Sequence, residues 1–382
     1  IFLFFLVYYY IFVTIDVDKD LVYKIALTQI PGIGSVLAKN LIGYCGGVEP
    51  IFNKSISFLK KIPGVGDVLA GNIKGFSDFT EAEIECQFIV RNDIKPIFFL
   101  DANYPVRLKN IPDCPILLYV KGNGNLSPEK CIAIVGTRNM TAYGRQFINQ
   151  LIDDMLPYNA TIVSGLAYGV DVWAHKQCLK MGLNTYGVVA HGLDRIYPSV
   201  HANVATDMLA HKGAVITEFI SGTAPDRENF PKRNRIVAGM VDAVIVVESA
   251  ISGGSLITAE IANQYNRDVL AVPGNIGAKY SAGCNYLIKS HKANVIEGID
   301  DLVRLLNWDV KIEKQTQRQL FVELTDNEQM ILALIRENRE MGIDQLMAHA
   351  GFSSSVLAMT LLELEMKNCI TSLPGKRYQT IY

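Results

Sequence analysis

Between residues 131 and 273 the sequence repeats one pattern: a short, continuously apolar run, a stretch of helical length, then another run. The runs are CIAIVG (131–136), TIVSG (161–165), TYGVVA (185–190), AVITE (214–218), DAVIVVE (242–248) and DVLAVP (268–273). Strands that are apolar on consecutive residues, rather than on every second one, are buried on both faces. Parallel strands also need crossover connections long enough for a helix. The alternation therefore predicts an α/β domain whose parallel sheet is covered by helices on both sides. Two more strand-like runs, Pro96–Leu100 and Ile116–Val120, stand upstream, and the domain is assigned to residues 91–306.

The segment before it carries an internal repeat. LTQIPGIGSVLAKNLI and LKKIPGVGDVLAGNIK align position by position, so that Pro31-Gly32-Ile33-Gly34 overlies Pro63-Gly64-Val65-Gly66. Each copy predicts helix, tight glycine turn, helix, with Ile33 and Val65 plugging the space between helices. Residues 16–90 thus form a helix-hairpin-helix domain. The amides at Gly32, Gly34, Gly64 and Gly66 can face a DNA phosphate. The same turn can also serve only to pack helices or dock a partner, and both readings stand.

Beyond a charged, glutamine-rich linker (307–322), residues 323–382 show three helical patterns, NEQMILALIREN, Ile343–Ala350 and Ser354–Met366. Two short strands, 369–371 and 378–382, flank Pro374-Gly375-Lys376-Arg377. Three helices and a two-stranded wing describe a winged helix-turn-helix. Its third helix is apolar and acidic (Leu361, Leu362, Glu363, Glu365), so contact with protein stands beside contact with DNA.

Composition narrows the function classes. Apolar residues make up 49% and charged residues 19%, which suits packed cores rather than disorder. The net charge of −2 offers no global field for nucleic acid, so phosphate binding has to be local. Seven scattered cysteines, never spaced C-x-x-C, point to buried thiols in a reducing, cytoplasmic compartment, without disulfides or a metal site. Residues 1–15, IFLFFLVYYYIFVTI, fall short of the ~20 apolar residues that span a bilayer. They also lack the basic start and cleavage site of a signal peptide. They are read as a non-native or misassigned leader in preference to a membrane anchor, and no membrane contact is expected.

Ligands of parallel sheets bind beyond the carboxyl ends of the strands. After the first run comes Gly136-Thr137-Arg138, where Arg138 leaves the strand beside a helix N-terminus able to receive an anion. Neither G-x-G-x-x-G nor G-x-x-x-x-G-K-[ST] occurs there, which disfavours a dinucleotide cofactor and a Walker-type site; no cofactor is expected. After the second run, Gly165 and Gly169 open a turn that can cradle a phosphate. Asp171 and His175, at i and i+4, read as a structural pair locking this turn in preference to a catalytic or metal pair. Pro231-Lys232-Arg233-Asn234-Arg235 opens a helix with cations that oppose its macrodipole unless an anion compensates. Glu218 and Glu228 can do so internally; an external phosphate is the preferred reading. Ser252-Gly253-Gly254-Ser255 opens another helix with amides and hydroxyls toward an anion. No catalytic set emerges, so the chain is read as a non-enzyme.

VGTR…T.YG, SGLAYGVD…AH, GLDRIYP, FP.RNRI.AG, SGGSLITA and PG……G.N.LI follow one another in the order and spacing of the DNA-processing protein A (DprA/Smf) family. From about Asp18 the chain resembles that family nearly throughout. The resemblance implies an extended Rossmann-like fold with a helix-hairpin-helix (SAM-like) front and a winged-helix tail. It implies a homodimer that binds single-stranded DNA and loads the RecA recombinase onto incoming DNA in natural transformation. By motif it carries DNA contact to Arg138, Lys232, Arg233 and the Ser252–Ser255 loop. With the strand-end residues above, the expected interface is Gly136, Thr137, Arg138, Gly165, Lys232, Arg233, Asn234, Arg235, Ser252, Gly253, Gly254 and Ser255. Tyr168, Tyr197 and Phe230 are candidates for stacking on bases. His191 replaces a small residue or cysteine common in the family, and Ser199 and His201 replace more polar or basic residues. The loop ending in Glu260 also resembles that of nucleotide phosphoribohydrolases of the lysine-decarboxylase-like (LOG) type, which is the alternative function. A transcriptional regulator built on the winged helix is a third, weaker reading.

Overall fold

The computed structural model describes residues 18–308, 324–338, 340–367, 369–373 and 375–380. The apolar leader, nearly all of the linker, Ile381 and Tyr382 lie outside them. The chain divides into two compact units, the first ending at Lys311 and the second beginning at Ile312.

The first unit opens with six helices: α1 (Lys19–Gln29), α2 (Ser35–Cys45), α3 (Glu49–Asn53), α4 (Ile56–Leu59), α5 (Asp67–Gly75) and α6 (Thr80–Arg91). The repeated glycine turns join α1 to α2 and α4 to α5. Gly32 and Gly64 sit at φ 83° and 88°, in the left-handed region open to glycine. A Cβ at Gly32 would lie 2.7 Å from Leu69 Cδ2, and one at Gly64 would lie 3.5 Å from Leu37 Cδ1. Leu37 and Leu69 hold the same place in the two copies, so each turn is packed by the leucine of the other. Ile33 and Val65 are buried, as the plug positions predict.

The sheet follows, with β1 (Ile94–Phe98), α7 (Val106–Lys109), β2 (Leu117–Gly122), β3 (Cys131–Val135), α8 (Ala142–Asp154), β4 (Thr161–Ser164), α9 (Val170–Met181) and β5 (Thr185–Val188). It continues through α10 (Ala202–Ala210), β6 (Ala214–Thr217), α11 (Asn229–Gly239), β7 (Ala243–Val246), α12 (Gly254–Gln264), β8 (Asp268–Ala271), α13 (Ala282–Lys289), β9 (Asn294–Val295) and α14 (Ile299–Leu306). The nine strands run in the order β1-β2-β6-β5-β4-β3-β7-β8-β9. All six apolar runs are parallel strands, whereas β1 and β2 pair antiparallel with each other, and β2 antiparallel with β6. Alternate residues feed opposite cores: Cys131, Ala133 and Val135 enter one, Ile132 and Ile134 the other. Burial on both faces explains why these strands carry no polar alternation. Chain direction turns about β3, with β4, β5 and β6 on one side and β7 and β8 on the other.

The second unit contains α15 (Asp326–Asn338), β10 (Glu340–Gly342), α16 (Ile343–Ala350), α17 (Ser354–Met366), β11 (Ile370–Leu373) and β12 (Arg377–Thr380). Thr325 and Glu328 form a reciprocal capping box at the start of α15. The wing has a third strand, in the order β10-β12-β11. Glu-Met-Gly is too short to announce a strand, and it is held by pairing with β12. Among the described residues, no helix is long and apolar enough to cross a membrane.

Candidate nucleic-acid interface

The loops after β3 and β7 meet at the carboxyl edge of the sheet, where the strand order reverses. Thr137 donates its amide to the Glu248 carbonyl at 2.7 Å, and its own carbonyl accepts the Val170 amide at 3.2 Å. Gly136 is pressed against Val170 and the Glu248 carbonyl, leaving no room for a side chain. The buried Glu248 carboxylate accepts from the Thr141 amide (2.8 Å) and hydroxyl (2.5 Å), and so supplies the anion at the N-terminus of α8. Arg138 is left at the surface, its guanidinium 5.7 Å from the ring of Phe230. Of Gly136-Thr137-Arg138, the arginine alone presents a side chain outward.

The cations of α11 separate into three kinds. Lys232 is exposed. Arg233 is 6% exposed, and its Nη1 donates to the carbonyls of Gly165 and Val188, at 2.5 Å each. A Cβ on the buried Gly165 would lie 2.6 Å from both Arg233 Cζ and an Asp171 oxygen, so this glycine makes space for a charged pair. Asn234 accepts from Arg233 Nε at 3.1 Å. Arg235 pairs with Glu218 and donates to the Asp113 carbonyl. Burial raises the Glu218 carboxyl, and Arg235 opposes that shift. Compensation of Arg235 is therefore internal, by Glu218, which corrects the preference for an external phosphate at this position; Arg233 likewise bonds inward. Helical phase puts Lys232 and Arg235 on one face, and of the two carboxylates that could compensate internally it is Glu218 that pairs with Arg235.

Asp171 and His175 do not bond each other. Asp171 accepts from the amides of Gly165 (3.2 Å) and Ala167 (3.4 Å), which locks the turn from one side. His175 Nδ1 lies 2.6 Å from the Thr185 hydroxyl, which itself donates to the Ile162 carbonyl at 3.0 Å. With its proton committed, that hydroxyl accepts from Nδ1–H, and the buried Nε2 carries no proton and no partner. Burial lowers the His175 pKa to about 3.

In the loop before α12, Ser255 is buried and its hydroxyl bonds Ser249 at 2.8 Å, while Ser252 and Gly254 are exposed. Gly253 caps α12 without a side-chain hydrogen bond and packs against the Ser249 hydroxyl. Glu260 lies exposed on α12, ion-paired to Lys292 at 2.8 Å. At the hairpin turns, Gly34 and Gly66 are exposed N-caps, and Asp67 at the start of α5 pairs with Lys60.

Around Arg138 the aromatic candidates converge. Phe230 lies 6.5 Å from Tyr197, centroid to centroid, and Tyr168 packs edge-on to His201 at 5.0 Å. Two buried acids, Glu248 and Glu85, have no place in the expected interface. Glu248 announces itself as a lone acid at the end of an apolar run, and Glu85 as an acid in phase with the inward-facing Ala82, Cys86 and Ile89.

A doubly covered parallel sheet with antiparallel edge strands, a tandem hairpin front and a winged-helix unit define an extended Rossmann-like protein equipped with two nucleic-acid-type modules. The family model of DNA recombination-mediator protein A matches residues 95–307, with the DprA winged helix domain matching 315–376 and the SAM-like helix-hairpin-helix tandem 24–74. The chain belongs to the DprA/Smf family of DNA recombination mediators. Protein Smf of Escherichia coli is 32% identical over 71% of this chain and 74% of its own length. Protein Smf of Synechocystis is 29% identical over 95% and 99%. The X-ray structure of DprA from Streptococcus pneumoniae matches with a TM-score of 0.64 at 29% identity, covering 75% of this chain and 98% of that one. A structure of the Helicobacter pylori protein, described for its single-stranded DNA binding mode, matches with a TM-score of 0.50 at 28% identity, over 56% and 95%.

Proposed function

We propose that the carboxyl edge of the sheet binds single-stranded DNA, and that the protein acts without catalysis to protect incoming DNA and load RecA onto it during natural transformation. The observation that carries this reading is the exposed Arg138 set against Phe230, whose ring stands beside Tyr197, with Lys232 exposed on the same helix as Phe230. A cation neutralises backbone phosphate without reading sequence, and aromatic faces stack on any base. The exposed Ser252 and Gly254 at the N-terminus of α12 add amides suited to a phosphate. The single-stranded DNA binding described for the H. pylori relative supports the same assignment. Action as a cytoplasmic homodimer is part of the proposal.

The phosphoribohydrolase alternative asks for a glutamate serving the glycine loop. Glu260 is engaged by Lys292 instead, which favours the mediator.

The test is fluorescence anisotropy of labelled dT oligomers and a matched duplex across a salt series. Tight, salt-sensitive preference for single strands that collapses in Arg138→Ala/Lys232→Ala supports the reading. Duplex preference, or indifference to the two substitutions, sinks it. RecA nucleation on single strands, with and without the protein, tests the loading step.

A further inference from the structure

The helix-hairpin-helix module and the strand-end edge are joined by a hydrogen-bonded path that starts at a buried acid. Glu85 on α6 is 3% exposed. Its Oε2 accepts the Ser221 amide at 3.0 Å and also the Ser221 hydroxyl. Burying a carboxylate among Ala82, Cys86 and Ile89 costs free energy that an apolar side chain would not, so packing alone does not account for it. Burial raises its pKa against those two bonds.

Ser221 lies in the loop that follows β6. The next residue, Gly222, donates to Asp194 Oδ1 at 2.9 Å, and Gly192 donates to the Thr223 carbonyl at 3.1 Å. Gly192 fits so closely that a Cβ would strike the backbone of Ile220 and Ser221. Leu193 and Ile220, one from each loop, pack onto the apolar core of the helical module. The path then passes through His191. Its Nδ1 donates to the Gly192 carbonyl at 2.8 Å, and its Nε2 accepts the Tyr197 amide at 3.1 Å. Because a carbonyl only accepts and an amide only donates, the two bonds fix one neutral tautomer. Tyr197 is the residue whose ring stands beside Phe230.

We infer that Glu85 is a positioning residue: through Ser221, Asp194 and His191 it holds the 191–197 loop, and so the Tyr197 wall of the edge, in its DNA-binding geometry. The inference rests on the single-stranded DNA reading above. It gives the helical module a role at the interface that needs no contact of its own with DNA.

Three full-length variants test it, with amide hydrogen exchange read in the absence of DNA and anisotropy in its presence. Glu85→Leu removes both bonds to Ser221. Glu85→Gln keeps them, since one amide oxygen can accept from both donors. Asp194→Ala cuts the path at a solvent-facing residue. The expected result is faster exchange at residues 191–197 in Glu85→Leu and Asp194→Ala, and affinity for dT oligomers about tenfold weaker, the worth of one stacked base. Glu85→Gln restores both readouts. Wild-type exchange at 191–197 in Glu85→Leu overturns the proposal whatever the DNA result. If Glu85→Leu does not fold, wild-type exchange in Asp194→Ala overturns it instead. Raised exchange with unchanged affinity overturns the link to binding. A wild-type protein that does not bind single strands, while its exchange still depends on Glu85, locates the failure in the DNA reading.

Discussion

Two regions rich in glycine, the hairpin turns of the helical module and the strand-end loops of the sheet, use the missing side chain for opposite purposes. At the hairpins, Gly32 and Gly64 receive hydrocarbon, the leucines of each other's repeat. At the strand ends, Gly136 receives the Val170 side chain beside a backbone carbonyl, but Gly165 receives the Arg233 guanidinium and the Asp171 carboxylate. The hairpin arrangement depends on shape and that at Gly165 on charge. A glycine-rich turn is therefore not in itself an anion cradle; its neighbours decide whether its amides remain open to a ligand.

The largest effect that can break this contrast comes from Arg233→Ala. It leaves two carbonyls and the Asp171 carboxylate in the interior without the cation, and should cost about 3–5 kcal/mol of unfolding free energy. A loss below about 1 kcal/mol in denaturant titration would mean the site closes without charge, erasing the distinction.

Acid should then act through His175, which bonds Thr185 at the start of β5. With its pKa lowered by burial from 6.5 to about 3, His175 belongs to the fold as a neutral ring. The stability tied to it is complete above pH 6.5 and drains as pH falls toward about 3, because the unfolded chain takes up the proton first. Urea midpoints measured between about pH 7 and 4 should fall more gently for His175→Gln than for wild type. Equal slopes would show that the ring is not the acid-sensitive element.

A smaller effect sharpens the hairpin side. Gly64→Ala meets only the left-handed φ penalty, about 1–2 kcal/mol. Gly32→Ala adds overlap with Leu69 and should cost roughly 1 kcal/mol more. Calorimetry that ranks the two alike would mean that Leu69 moves aside. Smallest of all in stability are Arg138→Ala and Lys232→Ala, within about 0.5 kcal/mol of wild type. Each should nevertheless lower the salt slope of single-strand binding by about 0.7 for every phosphate the side chain neutralises. An unchanged slope would remove that residue from the interface.

The six central strands were legible because double burial makes each a solid apolar run, readable without any neighbour. The two antiparallel strands at one end of the sheet were legible as runs but not in direction, since pairing of β2 with β6 is decided by residues far apart in the chain. At the strand ends, Arg138 was readable because, among the described residues, no carboxylate claims it and its later neighbour is the ring of Phe230. Arg233 was not, because its fate depends on the space above Gly165, supplied by another strand; for Arg235 the partner Glu218 was in view, but the sequence alone could not choose it over an external phosphate. Glu85 could have been found from its helical phase alone: an acid at an inward position must have a partner.

The crossed fit of Leu37 at Gly64 and Leu69 at Gly32 bears on how such a tandem can change over time. Duplicated segments usually drift apart independently, one copy free to wander while the other keeps the work. Here a bulkier residue at Gly32 is admissible only with a smaller one than Leu69 in the opposite copy, whereas at Gly64 an added methyl group would meet Leu37 in ordinary contact. The first turn is thus tied to the second copy, and losing that copy would strip Gly32 of its counterpart.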